Sequence, residues 1–366
     1  PEIREGRLYG RGACDVKGGM TAMLVALARL HQERPKRMPT VIMACSVNEE
    51  CGFTGAKAIA AAWREDTATR RRGDTEIEEG ERGRGGERET SSDGAGKESP
   101  TASPHLRVSA SPRLPLSPSP RLPLSPSPPL PLSRSPTLIP RRPDFAVVSE
   151  PTDLEVVVAH KGLVRWRCHA LGRAAHSSTP EAGDNAIYKM ARAVTAIEKY
   201  ARDVVGTLAT HPLCGPATLS VGTITGGVSV NTVPDRCTIE IDRRLAPGEK
   251  PDAARQHLID YLREKASLGF TLEHDPPFME GPPLADQHNR PLADRLAKAA
   301  AGLAAPCRAV GVPYGTDGAL FAATGVPTVI FGPGSIAQAH TADEWIALDQ
   351  VEKAAEIYYR FVKSFC

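Results

Sequence analysis

The sequence predicts an α/β protein carrying a second, smaller α+β unit inserted into it. Three observations lead there. Apolar runs of strand length alternate with helix-period segments at both ends of the chain, acidic residues fall where predicted strands end, and the texture changes to long alternating strands in the middle.

Taken in order, residues 20–30 repeat apolar side chains at helical period and are entered through Gly18 and Gly19. Residues 40–47 form a continuous apolar run, short enough for a buried strand, and 54–63 read as a helix. Residues 145–148 are a second buried strand, ending at Ser149 and Glu150. From Leu163 the pattern alternates through 171, a helix is expected over 185–200, and 217–225 and 236–243 read as strands. After about Phe270 the α/β texture returns, with helices at 291–304 and 350–365 and a strand at 327–331. The expected organisation is an outer domain built from 1–63, 143–159 and 270–366, with a small domain at 160–269.

Residues 64–142 belong to neither. A charged, Gly-rich run gives way to a Ser/Pro/Leu tract in which residues 113–120 recur residue for residue at 121–128. Proline at nearly every second position removes backbone donors and blocks helix and central strand alike, so a disordered insertion is expected.

Composition narrows the function. With 366 residues, 41% hydrophobic and 24% charged, the chain is long enough for two domains. A net charge of +2 argues against a nucleic-acid binder, and no apolar run reaches membrane-span length. Eight cysteines without a Cys-x-x-Cys pair fit reduced thiols and a cytoplasmic location. The sequence opens at Pro1 without a methionine and reads as amino-terminally truncated.

Four positions carry the chemistry. Asp15 lies in the Gly-rich stretch 10–19, the pair Glu49 and Glu50 follows the run at 40–47, Glu150 stands in Ser-Glu-Pro-Thr, and His340 in His-Thr-Ala-Asp. Carboxylates and imidazole are the donors of a catalytic zinc site, and a carboxylate with two oxygens can bridge two ions. Adjacent glutamates allow one to bind metal while the other moves a proton. Singly, each has a plainer explanation: a solvated cap, the acidic first turn of a helix, a structural histidine. The Gly-rich frames and the order of the set lift it above these. Cys14 and Cys51 flank the set, and small side chains suit those places without any catalytic part.

The stretches 8–19, 48–52, 149–152, 174–178, 183–187 and 340–343 resemble the zinc-peptidase family of acetylornithine deacetylase, succinyl-diaminopimelate desuccinylase, aminoacylase and carboxypeptidase G. The resemblance covers nearly the whole chain outside the insertion. It implies an aminopeptidase-like catalytic domain with an inserted dimerisation domain, and a homodimer. It further implies that Asp15 bridges two zinc ions, that Glu150 binds the first, and that Glu50 and His340 bind the second, with cobalt as a possible substitute. Glu49 would be the general base, and His176 would reach a neighbouring subunit's site to steady the oxyanion. Asn231 and Arg244 resemble the substrate-carboxylate contacts, with Arg243 one residue away on the other strand face, and Gly315 and Thr316 lie where the family shapes its pocket.

One part of the family pattern is missing. Its first zinc takes a histidine from an earlier His-x-Asp motif, and none of the ten histidines precedes Asp15. The resemblance therefore implies one well-held zinc and one poorly held. The expected substrate is an N-acyl amino acid or dipeptide. Residues 331–340 look most like acetylornithine deacetylase, an arginine-biosynthesis enzyme, ahead of the desuccinylase and a glutamate carboxypeptidase. The reading from another class is a non-catalytic remnant acting through its dimerisation domain.

Overall fold

The computed structural model describes residues 1–49, 52–65 and 141–366. Glu50, Cys51 and most of the expected insertion lie outside the described residues.

Two sheets organise the rest. The first has four strands in the order Ala309–Val312, Val156–His160, Thr328–Ile330, Ala146–Val148; its outer pairs are parallel and the central contact, Ile330 with Val157, is antiparallel. Val156–His160 is buried at every position, as expected of a strand covered on both faces. Helices Gly18–Glu33, Arg290–Ala299 and Leu348–Lys363 share one core with it, including Leu30, Val158, Leu296, Phe331 and Ile357. In the last helix Ala354, Tyr358 and Phe361 recur at i, i+4 and i+7, which turns one stripe toward that core.

The second sheet is antiparallel. Strand Gly162–Leu171 pairs along its length with Arg236–Leu245, which pairs in turn with Thr218–Gly226. Leu272–His274 and Met279–Gly281 add to the other side of Gly162–Leu171. Helices Ala186–Tyr200 and Pro251–Glu264 pack on it around Trp166, Met190, Ile197, Ile239 and Leu258. Asn185 caps the first of these, its side chain accepting from the N–H groups of Ile187 at 2.9 Å and Tyr188 at 3.1 Å. Thr218–Gly226 is an edge strand and largely exposed.

One expectation fails. Residues 40–47 run without ladder partners among the described residues, and Ile42 and Val47 are exposed. An apolar run becomes a strand only beside a chain that completes its ladder, and none of the described residues does so here. The helix expected at 54–63 is present over 54–65. No helix among the described residues is long and apolar enough to cross a membrane.

Candidate active site

Asp15 is placed by strand pairing between the two ends of the chain. Strand Arg7–Tyr9 lies antiparallel to Trp345–Ala347, with Tyr9 opposite Trp345. The loop leaving the first strand therefore meets the loop entering the second. Across that meeting point Asp15 Oδ2 and His340 Nε2 are 3.1 Å apart. Beneath them the Glu344 carboxylate accepts from the N–H groups of Gly12 at 2.8 Å, Cys14 at 2.9 Å and Asp15 at 3.0 Å. Burial alone would raise the Glu344 carboxyl, but these donors and Arg11 hold it below its ordinary range.

The glycines around the loop have a steric cause. A Cβ on Gly19 would stand 2.0 Å from Ser149 Oγ, so only glycine lets the first turn of helix Gly18–Glu33 press on the Ser149–Glu150 loop. A Cβ on Gly334 would stand 2.5 Å from Cys14 Sγ. Cys14 itself is buried, hydrogen-bonds the Ser335 carbonyl, and has its thiol pushed up to about 12 by burial. Such a thiol is a packing group and not a nucleophile.

Glu49 is half-buried in a turn that opens the helix at 54. Asn48 takes a left-handed backbone (φ 64°), its carbonyl accepts from Phe53 N at 2.9 Å, and Gly55 N reaches the Val47 carbonyl at 3.1 Å. Ser46 Oγ donates to Asp317 Oδ2 at 2.5 Å and ties this turn to the 315–318 loop. Burial raises the Asp317 carboxyl, with the Ser46 bond opposing. Glu150 is half-buried near Tyr314, whose phenol is pushed up first by burial and then by the Glu150 and Asp153 carboxylates.

At the junction of the two sheets, His160 is fully buried and its pKa falls to about 4 through burial. Its Nδ1 lies 3.0 Å from the Lys161 carbonyl, which can only accept, so Nδ1 carries the proton. Nε2 then accepts from Thr316 Oγ1 at 3.1 Å, and that hydroxyl accepts from Gly318 N at 3.2 Å. The Thr316 side chain is thus committed inside the fold. Gly315 packs on the Lys161 carbonyl and Leu163, and Leu163 is the strand neighbour of Arg244.

Arg244 and Arg243 have opposite fates. Arg244 is partly exposed and grips Asp242 through Nε at 2.9 Å and Nη2 at 3.0 Å. Arg243 is wholly buried and paired with Glu249 at 2.6 Å. His176 lies elsewhere, on a two-strand ribbon where it pairs with Thr232, and Ser177 N donates to the Asn231 carbonyl at 3.0 Å. His176 Nδ1 accepts from Ser178 N at 3.2 Å, which leaves the proton of a neutral ring on Nε2. That ribbon continues past Leu171, whereas Arg244 pairs with Leu163. At about 3.3 Å per residue the two ends are roughly 26 Å apart.

The structure therefore brings Asp15 and His340 into contact and sets Leu163, the strand partner of Arg244, against Gly315. It keeps His176 and Asn231 together, far from Arg244 within one chain. Glu344 and Lys161 escaped the sequence reading. Lys161 is buried, with its pKa lowered by burial, and sits between the sheets close to Arg243 and Arg244.

Comparison with known proteins fixes the lineage. The model of peptidase family M20/M25/M40 matches residues 1–364. This chain belongs to that family. Among curated relatives, the acetylornithine deacetylase of Proteus mirabilis is 32% identical over 237 residues, covering 62% of this chain and 57% of that protein. The same-named protein of Myxococcus xanthus is 24% identical over 367 residues, covering 99% of this chain and 74% of its own length. The chain thus spans less than two thirds of the Proteus relative. An M20 metallo-carboxypeptidase from Sulfolobus solfataricus shares the fold, with a TM-score of 0.61 over 100% of this chain and 79% of that one, at 16% identity.

The donor set can be tested against the zinc that the M20 resemblance implies. Two ligands of one tetrahedral zinc, each at about 2.0–2.2 Å, stand roughly 3.3–3.6 Å apart. Asp15 Oδ2 and His340 Nε2, hydrogen-bonded at 3.1 Å, have the right chemistry and stand within about half an ångström of that spacing. Among the described residues no group of three or more His, Cys, Asp and Glu gathers around them, and Glu50 lies outside the described residues. The pair fits as two of the ligands of one metal position.

Proposed function

We propose that this chain is a metal-dependent amidohydrolase that removes the acyl group from an N-acyl amino acid. The observation that carries the reading is the carboxylate–imidazole pair of Asp15 and His340, drawn from opposite ends of an M20 chain. Asp15, Glu50, Glu150 and His340 would hold zinc or cobalt. When bound, the metal supplies Lewis acidity toward the amide carbonyl and a nucleophile from water at neutral pH.

The remaining work falls to the chain's own residues. Glu49 accepts the proton of the attacking water and returns it to the leaving nitrogen. Arg244 offers its guanidinium fork to the substrate carboxylate, at the junction lined by Gly315. His176, with its proton on Nε2, donates to the developing oxyanion. Because the ribbon that carries His176 and Asn231 lies past the Leu171 end of strand Gly162–Leu171, while Arg244 sits at its Leu163 end, they serve the site of a second copy. The active form is therefore a homodimer, and the exposed edge strand Thr218–Gly226 supplies an open ladder for pairing.

N-acetyl-L-ornithine is the leading substrate, supported by the names of the curated relatives and by residues 331–340. The test incubates the zinc- or cobalt-loaded protein with N-acetyl-L-ornithine, N-succinyl-diaminopimelate and an N-acyl glutamate, and follows the amine released. Release of ornithine supports the reading. No release from any of the three, by a protein that is dimeric and folded, replaces it with a non-catalytic chain acting through its small domain.

A further inference from the structure

We infer that Glu344 is a positioning residue that presets the Asp15 loop for metal. The inference rests on the proposed metal site and deepens it. Glu344 is 3% exposed, and its two oxygens divide the neighbouring amides between them. Oε1 accepts from Cys14 N at 2.9 Å and Asp15 N at 3.0 Å, while Oε2 accepts from Gly12 N at 2.8 Å. Oε2 also faces Arg11 Nη1 at 3.8 Å.

Three backbone N–H groups converging on one carboxylate form a built anion cradle, filled from within the fold. Its placement gives it a purpose. One of the three amides is that of Asp15 itself, so the bond fixes the backbone from which that carboxylate projects. Glu344 also stands four residues beyond His340 and directly before strand Trp345–Ala347. A fourth bond, from Gly10 N to the Glu344 carbonyl at 2.9 Å, closes the loop from the other side. One residue thus registers the Asp15 loop against the His340 loop, and Cys14 Sγ adds its contact with the Ser335 carbonyl at 3.3 Å. Residues that orient metal ligands from behind are worth about 10–100-fold in metal affinity when altered.

The test is Glu344→Gln in the full chain, titrated with cobalt and read by its visible absorption. The amide keeps one acceptor but sets an NH2 against at least one of the three backbone donors. The expected result is a folded protein with cobalt affinity lowered about 10–100-fold and a shifted cobalt band. A folded E344Q that binds cobalt with wild-type affinity and spectrum overturns the inference. If E344Q does not fold, hydrogen exchange on the metal-free wild type decides. The inference expects the amides of Gly12, Cys14 and Asp15 to be protected, with little change on adding cobalt. Amides that exchange freely until cobalt arrives overturn it, since the metal and not Glu344 would then order the loop. A wild-type chain that takes up no cobalt sinks the metal reading first, and the purpose of Glu344 with it.

Discussion

Asp15 and His340 touch at 3.1 Å across a sequence separation of 325 residues. The contact depends on the short ladder between Arg7–Tyr9 and Trp345–Ala347, which joins the two ends of the chain. A carboxylate and an imidazole held this way hydrogen-bond each other, and in the proposed reading they share a metal when one is supplied. Asp15→Asn and His340→Ala are each expected to weaken zinc or cobalt binding at least tenfold while leaving the fold intact. Isothermal titration and elemental analysis after dialysis measure it. Unchanged metal content in both variants would remove the pair from the site.

Glu49 makes a different demand. Its proposed role is proton transfer, so Glu49→Gln should leave metal uptake alone and lower kcat about 10²–10⁴-fold. Parallel measurement of cobalt content and amide hydrolysis separates the two effects. Loss of metal together with activity would make Glu49 a ligand instead.

These tests also mark where the sequence was readable. Helix Leu348–Lys363 and strand Gly162–Leu171 announce themselves because burial of one stripe or one face imposes a period on the residues. The Gly18-Gly19 pair is legible as a close approach, though not what it approaches. Residues 40–47 misled because an apolar run carries no information about whether a neighbouring strand exists. Glu344 was invisible for a related reason. A glutamate after an aspartate in a loop reads as solvated surface, and its burial depends on amides more than 300 residues earlier. Thr316 reads from its motif as a pocket residue, yet its hydroxyl is engaged by His160 and Gly318.

The partition of the small domain leads to a complementation experiment. If His176 of one copy serves the site of another, His176→Ala and Glu49→Gln homodimers should each be nearly inactive. Mixing and reassembling them should restore up to about a quarter of wild-type activity, since half of the dimers are mixed and each has one intact site. Restoration near zero in reassembled dimers would confine His176 to its own chain.

His160 gives the protein an acid-sensitive joint. Burial lowers its pKa from 6.5 in the unfolded chain to about 4 in the fold. Between those values the unfolded chain binds the extra proton, so stability falls as pH drops from 6.5 to 4 and the full contribution is present above 6.5. The size is on the order of 3 kcal/mol at about 1.4 kcal/mol per unit. His160→Gln keeps a polar side chain without the titration. Urea unfolding at pH 7 and pH 5 should show a smaller loss in the variant than in the wild type. Equal losses would mean the acid sensitivity lies elsewhere.

The neighbours Arg243 and Arg244 should separate stability from activity. Arg243 is fully buried against Glu249, and Arg243→Met leaves that carboxylate facing an apolar group. Breaking one side of a buried pair costs about 3–5 kcal/mol, so the unfolding midpoint should fall sharply. Arg244 is partly exposed, and Asp242 retains a second partner, Arg165 at 2.9 Å, when Arg244 is cut back to alanine. The cost to stability should therefore stay near 1 kcal/mol or below. Its guanidinium, however, is the proposed contact for the substrate carboxylate, and losing a charged hydrogen bond is worth roughly tenfold or more in kcat/KM. Denaturant curves and steady-state kinetics on the two variants read the contrast directly. If Arg244→Ala unfolds easily and Arg243→Met loses only substrate affinity, the two strand faces have been assigned the wrong way round.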